Sequence, residues 1–152
     1  MRIKFIKQKE TAHFETSCAP VAIANYFKKK GLRRSLRNLY KILERDKDGV
    51  DVDKIEEFFG NRKVRNRRKI RRLLKTRTCL FSYWGEEDNK KRDGHTILTY
   101  PSKDDTISVI GYNNESPFKH KIDYFLRYYN IFGRGGFKYA EVNVILPRLK
   151  RK

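Results

Sequence analysis

The stretch that decides the fold runs from residue 16 to residue 27 and reads Thr16-Ser17-Cys18-Ala19-Pro20-Val21-Ala22-Ile23-Ala24-Asn25-Tyr26-Phe27. A cysteine precedes a run that is apolar at nearly every position. Ser17 or Thr16 can cap a helix start, and Pro20 is tolerated only in a first turn. The pattern therefore predicts a helix that begins at Cys18. Because no polar stripe interrupts it before Lys28, we expect this helix to be buried on most sides.

The position of Cys18 at a helix start has a chemical consequence. Backbone N–H groups and the positive end of the helix dipole favour a thiolate, so we expect the pKa of Cys18 to lie below that of a free cysteine. This is the position of a nucleophilic cysteine. The alternative is that Cys18 is a small buried side chain that only packs. A base and its orienting partner later in the chain would favour the nucleophile.

Length and composition limit the classes of protein to consider. The chain has 152 residues, enough for a single domain over residues 1–152 with its own hydrophobic core. Its 37 Lys and Arg against 18 Asp and Glu give a formal net charge of +19, which predicts attraction to polyanions or acidic surfaces. Two cysteines make neither a disulfide framework nor a zinc site, so we expect no metal and no cofactor. Cys79 lies in a run typical of a buried strand and is interpreted as packing.

The pattern of the N-terminal residues does not predict a secretory signal peptide. Residues 2–7 alternate charged and apolar side chains, as a short strand would, and contain no apolar signal-peptide core. No apolar stretch approaches the length of a membrane span, so we expect no membrane segment. The expected compartment is the cytoplasm, or the host cytoplasm if the source is a virus.

Helical patterns come first along the chain and strand patterns follow. Ser35 and Asp51 open two further helices, and Gly31 and Gly60 are typical helix terminators. Residues rich in Val, Ile, Thr, Tyr and Phe predict strands at 78–84, 95–100, 105–112 and 137–146, with one helix at about 118–129. The order predicts an α+β fold in which a helical N-terminal half packs its cysteine-bearing helix on a mostly antiparallel C-terminal sheet.

Residues 61–77 form the most basic part of the chain. Ten of the seventeen are Lys or Arg and none is acidic, while apolar residues at helical spacing mark an inward face. Such a run is commonly just a solvated helix face. The functional alternative is a polyanion-binding face. It would include Arg65, Arg68 and Arg72, together with Arg62, Lys63, Arg67, Arg71 and Lys75. No aromatic residue interrupts the run, so base stacking is not expected from it.

His95 is the candidate base. It follows Gly94 directly and begins a predicted strand, which is a rigid mount for a side chain facing a site. The next strand is followed by Asn113 and Asn114, and adjacent antiparallel strands would bring that end near His95. An asparagine carbonyl oxygen there can accept the imidazole N–H and leave the other nitrogen for the thiol.

These residues resemble the papain-like peptidase superfamily, and most of all its compact branch of bacteriocin-processing peptidases that remove double-glycine leaders. The resemblance lies in Cys18-Ala19-Pro20 opening an apolar helix and Gly94-His95 opening a strand. It covers nearly the whole chain in the order of its elements. It implies a papain-like fold and a cysteine peptidase activity on a peptide or protein substrate.

The resemblance assigns roles residue by residue. Cys18 matches the nucleophile, His95 matches the base, and Gln8 matches the glutamine whose amide stabilises the oxyanion. Gln8 lies ten residues before Cys18, farther than in the transporter-linked relatives, which implies a loop insertion. The position of the family's aspartate falls on Gly111, and a two-residue offset that keeps the strand face gives Asn113.

Three functions fit this pattern. The leading one is a cysteine peptidase with a Cys18, His95 and Asn113 triad. The net charge of +19 would favour an acidic substrate. A transglutaminase-like acyltransferase uses the same residue order with an amine as acceptor. The third is a papain-fold module whose triad has decayed and which binds nucleic acid, weakly and without specificity, or another polyanion.

Overall fold

The computed structural model describes residues 3–8, 11, 17–46, 50–60, 64, 66–87, 90–91, 95–110, 117–128 and 138–147. In chain order, the elements within these ranges are α1 (Cys18–Lys29), α2 (Leu36–Ile42), α3 (Val52–Phe59), α4 (Arg67–Thr76), β1 (Cys79–Glu87), β2 (Lys90–Lys91), β3 (His95–Pro101), β4 (Thr106–Ile110), β5 (Phe118–Lys121), α5 (Ile122–Tyr128) and β6 (Lys138–Ile145). No helix in these ranges is long and apolar enough to cross a bilayer.

Helix α1 begins at Cys18 and ends where its glycine signal predicted. Gly31 has a positive φ of 74°, a conformation that glycine adopts at little cost. Its N–H donates to the Lys28 carbonyl at 3.0 Å, and the Leu32 N–H donates to the Phe27 carbonyl at 2.8 Å. This pair of bonds is a Schellman motif, which satisfies carbonyls that the end of the helix would otherwise leave unpaired.

The next three helices are capped by their own side chains. The Ser35 hydroxyl accepts from the Asn38 N–H, and the Asp51 carboxylate accepts from the Asp53 N–H at 3.0 Å. Asn66 accepts from two first-turn amides of α4, at 3.1 and 3.2 Å. Gly60 ends α3 in the left-handed conformation. The predicted helix starts at Ser35 and Asp51 and the predicted stop at Gly60 are therefore confirmed.

The C-terminal half forms a sheet in which all described pairings are antiparallel. The strand order is β2-β1-β3-β4-β5, and β6 also pairs with β1. Leu80 lies opposite both Leu98 of β3 and Ile145 of β6. The predicted α+β fold, with helices first and an antiparallel sheet after them, is confirmed.

The helices cover the two faces of this sheet separately. Leu80 and Leu98 belong to one apolar cluster, which they share with α1, α2 and α3. Phe81 and Ile97, their neighbours along the strands, belong to a second cluster with α4 and α5. Because side chains alternate between faces along a strand, α1 and α4 lie on opposite sides of the sheet.

Two predicted elements differ from the structure. Residues 3–7 form no strand, and their backbone is held by α1, as described below. The helix predicted at about 118–129 begins only at Ile122, because residues 118–121 pair with β4 as strand β5. In both places a tertiary partner for the backbone overrides the local pattern.

Candidate active site

Cys18 is the first residue of α1 and is partly exposed. The nine residues that follow it, 19–27, are all buried. A partly exposed cysteine therefore stands at the N-terminal end of a helix whose body is fixed in the core. Such a helix is a rigid mount, and its N-terminal end carries the positive side of the helix dipole.

Two hydrogen bonds that share the Thr11 hydroxyl connect Ser17, the residue before Cys18, to the backbone of Gln8. The Thr11 Oγ1 donates to the Gln8 carbonyl oxygen at 2.7 Å, and the Thr11 N–H donates to the same oxygen at 3.0 Å. Thr11 Oγ1 also lies 2.9 Å from Ser17 Oγ. A hydroxyl has a single proton, so Ser17 is the donor in that second bond. Ser17 holds the N-cap position of α1, but its side chain makes no capping bond.

Asn25 makes a second connection between α1 and the N-terminal segment. Its side chain is fully buried in the middle of the helix. The Asn25 Oδ1 accepts from the Ile6 N–H at 2.8 Å, and its Nδ2 donates to the Ile6 carbonyl at 3.1 Å. The amide thus satisfies both backbone groups of Ile6, as a neighbouring strand would.

Gln8 lies between these two connections. It is 5% exposed, and Phe5, three residues earlier, is packed into the cluster that contains α1. Two residues before Gln8 the chain is bound by Asn25, and at Gln8 itself the carbonyl is linked through Thr11 to Ser17. The segment that bears Gln8 is therefore attached to the same helix that bears Cys18.

The structure places the backbone of His95 at the start of β3, opposite Tyr83 of β1. Helix α1 packs along β3, and Lys29 Nζ lies 4.7 Å from the centroid of the Tyr100 ring. Lys29 and Tyr100 are both near the C-terminal ends of their elements, which indicates that α1 and β3 run in similar directions. Their lengths match, at about 16 Å from Cys18 to Lys29 and about 16 Å from His95 to Tyr100. The matching lengths favour a placement of Cys18 and the His95 backbone at the same end of the pair.

The predicted orienting residue, Asn113, comes three positions after the last residue of β4. Strand β4 pairs antiparallel with β3, and its last pair is Ile110 opposite Leu98. The chain therefore leaves β4 in the direction of the end of β3 that holds His95, as predicted. Asn113 itself, its alternative Asn114, and Gly111 lie outside the described residues.

Cys79 is more deeply buried than Cys18. It is fully buried, and burial raises the pKa of its thiol to about 12. Its Sγ donates to the Arg77 carbonyl at 3.4 Å. This environment is that of an inert packing cysteine. Across the described part of the chain, no three His, Cys, Asp or Glu side chains come close enough to hold a metal ion.

The basic helix α4 is partly neutralised by its neighbours. Arg71 Nε lies 3.1 Å from an Asp123 carboxylate oxygen, and Lys75 Nζ lies 2.8 Å from an Asp105 carboxylate oxygen. The Lys75 hydrogen bond lowers the pKa of Asp105, so this carboxylate stays charged. Of the three arginines singled out by sequence, Arg68 and Arg72 are exposed and Arg65 lies outside the described residues.

Sequence reasoning missed the roles of Asn25 and Thr11. The signal for Asn25 was present, because it is the sole amide in an otherwise apolar helix, and a buried amide needs partners. No comparable signal marks Thr11, whose role depends on where the N-terminal segment lies.

No protein-family model matches the chain, and no curated protein matches it by sequence. Among solved structures, the fold is similar to the crystal structure of the peptidase domain of Streptococcus ComA, a bifunctional ABC transporter involved in a quorum-sensing pathway. The match has a TM-score of 0.64 and 12% sequence identity, and it covers 97% of this chain and 100% of that domain. At this identity the likeness establishes a shared fold. The chain thus has the papain-like fold that its sequence predicted.

Proposed function

We propose that this papain-like chain is a cysteine peptidase. One observation carries the proposal. A partly exposed cysteine begins a buried helix, and the segment bearing Gln8 is bound to that same helix at Asn25 and Ser17. This attachment supports the proposal, because acyl transfer needs an amide donor close to the attacking sulfur, where the oxyanion forms.

In the proposed reaction His95 takes the proton of the Cys18 thiol, and the thiolate attacks the carbonyl carbon of a peptide bond. The C–N bond then breaks, the amine leaves with a proton from His95, and an acyl-enzyme thioester remains. Water attacks the thioester while His95 again accepts a proton, and the thiol is regenerated. The shared direction of α1 and β3, whose first residues are Cys18 and His95, supports this pairing.

Gln8 is proposed to stabilise the oxyanion together with the Cys18 backbone N–H. Its burial and its fixed backbone favour a preorganised donor, which costs no rearrangement as the charge develops. A donor of this kind contributes about 3 kcal/mol to stabilising the transition state. Asn113 is proposed to orient His95, because β4 runs antiparallel to β3 and directs the following chain toward His95.

The test compares the wild-type chain with single Ala variants of Cys18, His95 and Cys79. Each protein is incubated with a mixed peptide library, and the products are identified by mass spectrometry. We expect cleavage by the wild type and by Cys79→Ala, and none by Cys18→Ala or His95→Ala. Products that carry an added amine would instead favour the acyltransferase. Cleavage that survives Cys18→Ala would refute the proposed nucleophile.

A further inference from the structure

A second charged surface lies at the opposite end of α1 from Cys18. It comprises seven basic residues within fourteen positions, around the C-terminal end of α1 and along α2. These residues, here called the cationic corner, are Lys28, Lys29, Lys30, Arg33, Arg34, Arg37 and Lys41. Five of them are exposed and two are half-buried.

The cationic corner has no acidic residues among its neighbours in sequence. The sequence contains no Asp or Glu between residues 16 and 43. Within the ranges that the structure describes, no member of the corner forms an ion pair with a carboxylate, whereas Arg71 and Lys75 of α4 each do. Two basic residues of α4 are therefore paired with carboxylates, whereas no described carboxylate pairs with a residue of the corner.

Aromatic rings hold part of this charge in place without neutralising it. Three cations of the corner lie over rings: Lys29 over Tyr100 at 4.7 Å, Lys30 over Tyr26 at 5.9 Å, and Arg34 over Phe27 at 5.5 Å and over Phe58 at 5.3 Å. A ring face attracts a cation through its quadrupole but carries no net charge. The corner is therefore a partly ordered set of positive groups at fixed positions, a surface suited to a multivalent anion.

We propose that the cationic corner binds the phosphate backbone of a nucleic acid without sequence preference. The large apolar side chains exposed at the corner are aliphatic, Leu32 at 47% and Ile42 at 44%, so they supply no stacking platform for bases. Lys and Arg contacts to phosphates position a nucleic acid but carry no sequence information.

The placement of charge over the molecule favours a nucleic acid over a membrane surface. Exposed Arg68 and Arg72 of α4 lie on the other side of the sheet from α1 and α2. A flat anionic bilayer reaches only one of these sides, whereas a long polyanion can contact both. The aliphatic Leu32 and Ile42 would suit a membrane, so vesicle binding is the alternative that the test must measure.

The corner is separate from the proposed active site. Lys29 and Cys18 are at opposite ends of α1, about 16 Å apart along the helix axis. Binding at the corner can therefore be tested without relying on peptidase activity. The corner contains none of the residues proposed to act in catalysis.

The experiment compares two matched triple variants. In the first, Arg33, Arg37 and Lys41 are changed to Gln, which removes three exposed charges from the corner. In the control, Arg68, Lys69 and Arg72 are changed to Gln, which removes three exposed charges from α4. Fluorescence anisotropy then gives the affinity of each protein for a short DNA duplex across a series of salt concentrations.

The wild type is expected to bind duplexes of different sequence alike, with log affinity falling linearly with log salt. Each phosphate contact contributes a slope of about −0.9, so losing three contacts should make the slope shallower by about 2.7. We expect the corner variant to lose at least tenfold in affinity at low salt and the control to lose less. Circular dichroism of both variants checks that the fold is retained.

Three outcomes would overturn the proposal. One is the absence of duplex binding by the wild type at low salt, and a second is a corner variant that binds as the wild type does or better than the control. The third is wild-type binding to anionic phosphatidylserine vesicles, lost in the corner variant, without binding to DNA. That third result would assign the corner to a membrane surface.

Discussion

The side-chain amide of Asn25 forms hydrogen bonds with both the backbone N–H and the backbone carbonyl of Ile6. The two residues are nineteen positions apart, and the bonds measure 2.8 and 3.1 Å. This contact replaces the strand pairing predicted for residues 2–7, because a buried amide supplies the same two bonds as a strand. Its importance is positional, since Gln8 follows two residues later.

Replacing Asn25 by Leu is expected to lower both stability and turnover. The change removes the partner of both backbone groups of half-buried Ile6, which costs at most about 3 kcal/mol for each group. If Asn25 positions Gln8, kcat should fall at least tenfold while iodoacetamide still alkylates Cys18 in the folded protein. Chemical denaturation and peptidase kinetics measure the two effects. Asn38→Ala, a change at an exposed position of α2, is the control. A variant with lower stability but unchanged kcat would show that Asn25 serves the fold only.

Thr11→Val tests the hydrogen bonds by which the Thr11 hydroxyl connects Ser17 to Gln8. Valine keeps the shape of threonine but removes the group that donates to Gln8 and accepts from Ser17. We expect a loss of about 1–2 kcal/mol in the free energy of unfolding and a lower kcat with KM little changed. Thr11→Ser retains the hydroxyl and should restore most of both. Failure of serine to restore kcat would mean that the methyl group, and not the hydrogen bonds, matters.

The two cysteines should differ sharply in reactivity in the native protein. Cys18 begins a helix and is partly exposed, so we expect iodoacetamide to label it at neutral pH. Cys79 is buried and its thiol pKa is raised to about 12, so it should be labelled only after denaturation. Peptide mapping of native and denatured samples, with Cys18→Ala and Cys79→Ala, measures this. Fast native labelling that survives Cys18→Ala would contradict the assignment.

Burial of Cys79 also predicts a loss of stability at alkaline pH. Its pKa is raised from 9.0 to about 12, chiefly by desolvation, so the folded protein keeps a proton that the unfolded chain releases. The resulting stability is fully present below pH 9 and is lost as the pH rises to about 12. The loss can reach about 4 kcal/mol. Urea denaturation between pH 8 and 11 should show a shallower decline for Cys79→Ala, and parallel curves would contradict this.

Asn113 is expected to act on the imidazole and not on the substrate. Asn113→Ala should lower kcat but leave measurable activity, because an orienting residue contributes less than the nucleophile. Asn113→Asp should retain or raise activity, because a carboxylate also accepts the imidazole N–H. The pH profile of kcat separates this role from a structural one, and Asn114→Ala is the matched control. If only the Asn114 variant loses activity, the choice between the two is reversed.

The helices could be predicted from local sequence patterns, whereas the conformation of the N-terminal segment depends on tertiary contacts. Ser35, Asp51 and Gly60 specify helix ends through bonds within a few residues, so their positions followed from sequence. The apolar run after Cys18 likewise specified a buried helix. Residues 3–7 and 118–121 depend on partners at least nine positions away, namely Asn25 and strand β4, and short patterns do not encode such partners.

The two connections of the N-terminal segment to α1 have a consequence for how the chain tolerates changes in length. Asn25 holds the chain just before Gln8, and Ser17 holds it through Thr11 just after. Both connections are made by residues outside positions 12–16, so residues inserted between Thr11 and Ser17 are expected to leave them in place. One residue inserted between Ser17 and Asn25 would instead rotate one anchor relative to the other by about 100° around the helix axis. Insertions and deletions should therefore accumulate in the first interval and be absent from the second.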